Sequence, residues 1–341
     1  MTDKKASLDC HYRYDPYLGY LKIGVLPDRV FQVQVLASDD LLFRLIASVC
    51  AFATAVNQHN PGVEVHINTE FKVPRLLTET VSEFNRLQEA VRLTYTNVAE
   101  TYEQVEVLAP FERIHLLSGG KDSARKLIDL AERHGKGHVW VLYVKGTTVN
   151  SEYLDEFEAV RAICRALSVR YFTLNVLHGD YGTRAMKVPN RATWREMLLV
   201  CLARFYSTSI SLGVTFDRGL NSDLESLRRC DAAAWNFAIS NYCLDAFAEM
   251  LGAKIEIAPS EVDNYRAMRE QYPDILRLTR SCYNSRTSCD PGRDWDNACS
   301  KCRTLHVYDK ILDRRTLNQR ELNFVRSNRW VGDTHVRDRY L

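Results

Sequence analysis

Residues 118–123 read SGGKDS and set two glycines, two hydroxyls, a cation and a carboxylate in six consecutive positions. Glycine pairs form strands and helices poorly, so packing alone does not account for Gly119 and Gly120. A loop of this composition that opens a helix offers unpaired backbone N–H groups to an anion. The glycines let the backbone approach a phosphate closely, Ser118 and Ser123 add hydroxyl donors, Lys121 adds a charge, and Asp122 can hold magnesium. The spacing is neither Gly-x-x-x-x-Gly-Lys-Ser/Thr nor Gly-x-Gly-x-x-Gly. The blander alternative is a strand-to-helix turn with a Ser or Asp cap, which needs only one such residue.

Cys282, Cys289, Cys299 and Cys302 form a second constellation, C-x6-C-x9-C-x2-C, inside 21 residues. Four thiolates in one loop-rich segment suit a closed, structural zinc site. An iron–sulfur cluster uses the same ligands, and reduced cysteines on a surface loop are a third reading. Cys10, Cys50, Cys164, Cys201, Cys230 and Cys243 are scattered among mostly apolar neighbours. With no export signal visible, buried thiols are expected there rather than disulfides.

The elements that must position the loop follow from the pattern around it. From Arg113 onward the chain reads strand (IHLL), glycine turn, helix through about Arg133, strand (138–144), helix (153–167) and strand (169–176). That alternation predicts a doubly wound parallel sheet with covering helices, and ligands bind such sheets at the carboxyl ends of their strands. Before it, residues 30–37 and 63–71 alternate as half-buried strands, and residues 41–56 and 79–95 suit helices. No catalytic constellation is visible in the first 110 residues, which hold ten Lys/Arg against fourteen Asp/Glu, so a boundary falls near Pro110.

SGGKDS closely resembles the PP-loop of ATP pyrophosphatases, SGGxDS, which grips the pyrophosphate end of ATP while the alpha phosphate is attacked. Taken with SCY at 281–283, CSKCR at 299–303 and VPNRATWREMLLV at 188–200, the chain resembles the 7-cyano-7-deazaguanine synthase family of queuosine and deazaguanine biosynthesis over roughly residues 112–310. The resemblance implies an adenine nucleotide alpha hydrolase-like α/β domain at 111–312, with a zinc segment at 281–303. An extra N-terminal α+β domain at 1–110 and a basic tail at 313–341 lie outside it. It also implies ATP, magnesium and zinc as cofactors, a homodimer, and adenylation of the carboxylate of a 7-deazaguanine followed by transfer to nitrogen. Lys121, Asp122 and Arg191 would then be catalytic, with Ser118, Gly119, Gly120 and Ser123 completing the ATP loop. A guanidinium such as that of Arg191 can pair two oxygens at once, although a salt bridge at a helix start is its plainer use.

The departures from the family fall on substrate handling. Val144, Lys145, Gly146 and Thr147 stand where the family has Asp-Tyr-Gly-Gln, Asn190 stands for glycine and Ala192 for asparagine. Within residues 213–231 only Asp217, Asn221 and Asp223 are candidates for recognising a guanine-like edge, and loop caps use the same residue types. ATP activation is therefore expected to survive while the acceptor has changed. Divergent family members occur in antiphage operons and are implicated in joining a deazaguanine, through an amide, to an amine of a partner protein, so the resemblance implies either ammonia or such an amine as acceptor. Two rival readings remain open: tRNA base modification by the wider PP-loop group, and a nucleotide-binding scaffold without chemistry.

Composition narrows the partners. A net charge of +2 does not argue for nucleic acid or membrane. The longest apolar run, residues 41–56, is interrupted by Arg44 and falls short of crossing roughly 30 Å of hydrocarbon, so it reads as a buried helix. A cytoplasmic protein is expected. The tail from Asp313 carries seven arginines against four acids, the pattern of a solvated terminal helix as much as of a nucleic-acid patch. His178 is either a general base or a hydrogen-bonded loop residue.

Overall fold

A computed structural model describes residues 5–27, 29–35, 37–59, 63–88, 92–106, 108–146, 150–178, 191–215, 248–258, 261–280, 295 and 300–327. Among these, ten strands hydrogen-bond into one sheet. They are β1 (Lys5–Asp15), β2 (Tyr20–Leu26), β3 (Arg29–Gln34), β4 (Glu64–Thr69), β5 (Arg92–Tyr95), β6 (Arg113–Leu116), β7 (Val139–Lys145), β8 (Arg170–His178), β9 (Ser209–Thr215) and β10 (Lys254–Ala258). Their order is β10-β9-β6-β7-β8-β3-β2-β1-β4-β5. The helices are α1 (Asp40–Gln58), α2 (Arg75–Gln88), α3 (Lys121–His134), α4 (Asn150–Leu167), α5 (Arg191–Arg204), α6 (Glu261–Gln271), α7 (Pro273–Leu278), α8 (Ser300–Leu312) and α9 (Gln319–Ser327).

The ladders among β6 to β10 are all parallel. Counted from β6, the spatial order of these five strands is 3-2-1-4-5, the doubly wound arrangement, and its order reverses between β6 and β9. Helices cover both faces. Val139, Val141 and Tyr143 of β7 pack with Leu127 and Ile128 of α3 and Val160 and Ile163 of α4. Leu142 and Val144, on the opposite pleat, join the core of α1 and α5 through Leu45, Ile46, Leu198 and Leu202. The alternation of side chains along one strand thus serves two cores.

The N-terminal strands continue the same sheet. β8 pairs antiparallel with β3, setting Phe31 opposite His178 and Val33 opposite Val176. Gln34 Oε1 accepts from both the backbone N–H and the side-chain amide of Asn175, at 3.2 and 2.9 Å. This pairing covers an edge that a five-stranded parallel sheet would leave open. β1 and β4 are parallel, whereas β1–β2 and β2–β3 are antiparallel hairpin pairs.

α1 is the apolar run at 41–56, and it is buried as the sequence suggests, against the sheet and alongside α5. Asp39 caps it, its carboxylate accepting from Leu42 N–H at 2.7 Å. Arg44, the interruption in the run, is explained by its partners: it pairs bidentately with Glu103 at 2.8 and 2.6 Å and reaches Asp40 at 2.8 Å. One helix expectation is corrected. Residues 79–95 are not continuous helix, because α2 ends at Gln88 and Arg92–Tyr95 is β5, paired parallel with β4. Among the described residues, no helix is long and apolar enough to cross a membrane.

Candidate functional site

β6 ends at Leu116 and α3 begins at Lys121, so SGGKDS spans the turn at the carboxyl end of β6 and the first turn of α3. That turn stands where the strand order reverses, the position at which open α/β sheets bind ligands. α3 is a well-specified helix. Its N-cap is Gly120, Asp122 is the acid in its first turn, Arg133 and His134 are bases in its last, and Gly135 at φ +85° ends it. Ala124 N–H closes the first helical bond to Gly120 O at 2.9 Å.

The first glycine of the loop is required by both backbone conformation and space. Gly119 is buried with φ at +75°, a conformation that favours glycine, and a Cβ there would lie 3.0 Å from Glu156 O and 3.2 Å from the Ala159 methyl on α4. Gly119 O accepts from Arg280 N–H at 2.7 Å. Arg280 directly precedes the SCY stretch in the sequence. Ser123 ties the turn together, its hydroxyl donating to Leu116 O at 3.1 Å and accepting from Ser118 N–H at 3.3 Å.

Lys121 and Asp122 form an ion pair at 2.7 Å, with the lysine side chain 3% exposed. The other oxygen of Asp122 accepts from the buried Asn264 amide on α6 at 3.3 Å. Both carboxylate oxygens therefore have protein partners, and Asp122 would hold a magnesium ion either beside the Lys121 pair or in exchange for it. Lys145, at the end of β7, lies 4.2 Å from the centre of the Phe157 ring.

Three residues of the site carry no motif. His115 on β6 is fully buried beneath the first turn of α3, its Nε2 lying 2.9 Å from Ser123 O and its Nδ1 2.8 Å from the Ser211 hydroxyl on β9. Burial pushes its pKa down to about 3. Gly213 on β9 packs so closely that a Cβ would meet Ser123 Cα at 2.3 Å. Asn264 is the third. A histidine inside the strand reading IHLL was the one available signal; nothing marked Gly213 or Asn264.

The remaining candidates are distributed as follows. Arg191 opens α5, which ends four residues before β9 begins, so the topology returns its N-terminus to the carboxyl edge that carries the loop. Asp217, Asn221, Asp223, Cys282, Cys289 and Cys299 lie outside the described residues. Cys302 lies half-buried in the first turn of α8. Among the described residues no group of three or more metal-ligating side chains comes together. Cys10, Cys50, Cys164 and Cys201 are buried, and desolvation raises the thiols of Cys10 and Cys164 to about 12, so these are packing residues at neutral pH. Cys230, Cys243 and the segment after His178 also lie outside the described residues.

No family model matches the chain, and no curated relative matches it. Among solved structures it is similar to the U34-tRNA thiolase NcsA from Methanococcus maripaludis with its 4Fe–4S cluster, at 12% identity and a TM-score of 0.32, over 74% of this chain and 78% of that one. An overlap that loose carries no functional argument. The strand order and the loop geometry bear the weight of the reading below.

Proposed function

We propose that this chain uses ATP to adenylate a 7-deazaguanine carboxylate and transfers the activated acyl group to a nitrogen nucleophile. The observation that carries this reading is the SGGKDS turn at the switch point, with Gly119 in the left-handed region and the first turn of α3 opening immediately after it. The first N–H groups of a helix have no partner within it, and here they emerge beside two glycines that keep side chains away.

In the proposed reaction a carboxylate oxygen attacks the alpha phosphorus, and the bond from that phosphorus to the bridging oxygen of pyrophosphate breaks. Nitrogen then attacks the acyl carbon, AMP departs with the electron pair of the acyl–oxygen bond, and the nitrogen gives up a proton. Such a site works by positioning and by balancing charge on phosphoryl oxygens. Gly119 and Gly120 let the backbone approach the pyrophosphate. Lys121, released from Asp122, meets its charge, and Asp122 is then available to magnesium, which would neutralise phosphate oxygens. Arg191 is suited to hold the alpha phosphate or the activated carboxylate. Asp217, Asn221 and Asp223 follow β9 in the sequence and are proposed to read the deazaguanine edge. Cys282, Cys289, Cys299 and Cys302 are proposed to bind zinc as a structural ion, with no step of the reaction passing through it.

The test is incubation with ATP, magnesium and 7-carboxy-7-deazaguanine, with and without ammonium, read by mass spectrometry. AMP that depends on the deazaguanine supports the reading, and an amide, a nitrile or an adduct on a co-purified protein identifies the acceptor. A second reading, tRNA base modification, is the side on which the thiolase neighbour falls by its name. It requires AMP formation to depend on tRNA and not on the free deazaguanine.

A further inference from the structure

We infer that His115 is a positioning residue for the nucleotide loop, a neutral imidazole strut that joins β9 to the first turn of α3 beneath SGGKDS. This rests on the reading of that loop as an ATP site and adds a residue that the motif does not contain.

The geometry fixes the tautomer. Ser123 O can only accept, so the 2.9 Å contact makes His115 Nε2 the N–H donor, and Nδ1 accepts from the Ser211 hydroxyl at 2.8 Å. His115 and Ser211 are direct partners in the β6–β9 register, across the point where strand order reverses. The chain of bonds continues through Ser123, whose hydroxyl lies 3.1 Å from His115 Nε2, donates to Leu116 O and accepts from Ser118 N–H. One imidazole thus connects the strand before the loop, the neighbouring strand and both ends of the loop.

Packing alone does not call for a histidine here. Ile114 and Leu116 on either side face the α1–α5 core, whereas His115 points under α3, whose adjacent core positions are apolar. An aliphatic side chain would fill that space without the cost of burying two ring nitrogens. What the imidazole adds is two directed bonds at a fixed spacing. They hold the Ser123 carbonyl and the Ser211 hydroxyl in one arrangement, and through Ser123 they hold the loop N–H of Ser118.

The experiment compares the wild-type chain with His115→Leu, His115→Gln, Ser211→Ala and, as a control, Val141→Ala. Val141 is fully buried on β7 as the cross-strand partner of His115 and makes none of these side-chain hydrogen bonds, so its truncation reports lost packing beside the imidazole without a lost bond. Two quantities are read: hydrogen exchange of backbone amides over residues 117–124, and the Kd for magnesium-ATP. His115→Leu is expected to speed exchange in that window and to raise Kd about tenfold, the scale of a lost buried hydrogen bond. His115→Gln, which keeps one donor and one acceptor, is expected to restore Kd to within about threefold. Ser211→Ala should act in the same direction as His115→Leu and serves if that variant does not fold. If His115→Leu matches a Val141→Ala protein of equal Tm in both measurements, the inference is overturned. If the wild type binds no ATP, the nucleotide reading fails, while the exchange data still decide whether His115 holds the loop.

Discussion

Gly213 lies against the backbone of Ser123 so closely that a Cβ on it would sit 2.3 Å from Ser123 Cα and 2.7 Å from its nitrogen. The contact joins β9 to the first turn of α3, and neither backbone can retreat without moving the loop. Gly213→Ala is therefore expected to destabilise the fold by about 1–3 kcal/mol, as overpacking does, and to abolish ATP-dependent AMP formation. Gly137→Ala, where a Cβ meets nothing within 4 Å, should change stability by no more than about 0.5 kcal/mol. Chemical denaturation of the two variants checks this directly.

Lys121 and Asp122 separate a catalyst from a scaffold. Alanine at either position removes one partner of a 2.7 Å ion pair that is buried on the lysine side, at a cost of about 1–3 kcal/mol. Both variants should remain folded by circular dichroism and lose pyrophosphate release by at least about 100-fold, the scale of a lost charge-stabilising group. Retention of full biological activity in both would mean that the loop performs no chemistry.

The buried imidazole gives stability a pH dependence with a definite sign. Burial depresses the folded-state pKa of His115 to about 3, while an unfolded chain binds that proton near 6.5 (approximately). Below that pH the unfolded state holds more protons, so the contribution of His115 is complete above about pH 6.5 and is lost as pH falls towards 3, by at most about 1.4 kcal/mol per unit. Glu256 and Glu321, both held below the ordinary carboxylate range by their partners, lose their contributions only at lower pH. Half-buried His59 and His134 share the direction of His115, which is why the comparison must be with a variant. Between pH 6.5 and 5 (roughly the interval free of carboxylate titration) His115→Gln should show a shallower fall in stability than the wild type.

The four-cysteine segment is tested by metal content. Purified protein is expected to hold one equivalent of zinc, and chelation is expected to loosen first the small core of Val307, Tyr308, Leu317 and Phe324, because Cys302 opens the helix that carries part of it. Iron and acid-labile sulfide in place of zinc would assign the segment to a cluster instead. Much less than one equivalent of any metal in undamaged protein would remove the site.

Much of the doubly wound half was legible because its signals are local. The short apolar runs at β6, β7 and β8, the glycine turn and the intervening helical periods all agree with the final positions to within about three residues. The first strands were harder to see. β1 and β2 carry Arg13, Lys22 and other polar residues on one face, and their pairing is set by partners distant in sequence, including β4 and, through β3, β8. β5 reads as the end of a helix because Arg92–Tyr95 is only four residues long and follows a helical pattern without a strong break. In the site, SGGKDS announced itself by composition. Gly213 and Asn264 did not, since what they do depends on a close approach between elements that a linear pattern does not record.

Adenylate formation is read most directly by ATP–pyrophosphate exchange. Labelled pyrophosphate should enter ATP when the protein, magnesium and 7-carboxy-7-deazaguanine are present together, and should not when the deazaguanine is omitted or Lys121 is alanine. Exchange that is absent with folded, metal-replete protein, or that proceeds equally without the deazaguanine, would contradict the proposed reaction.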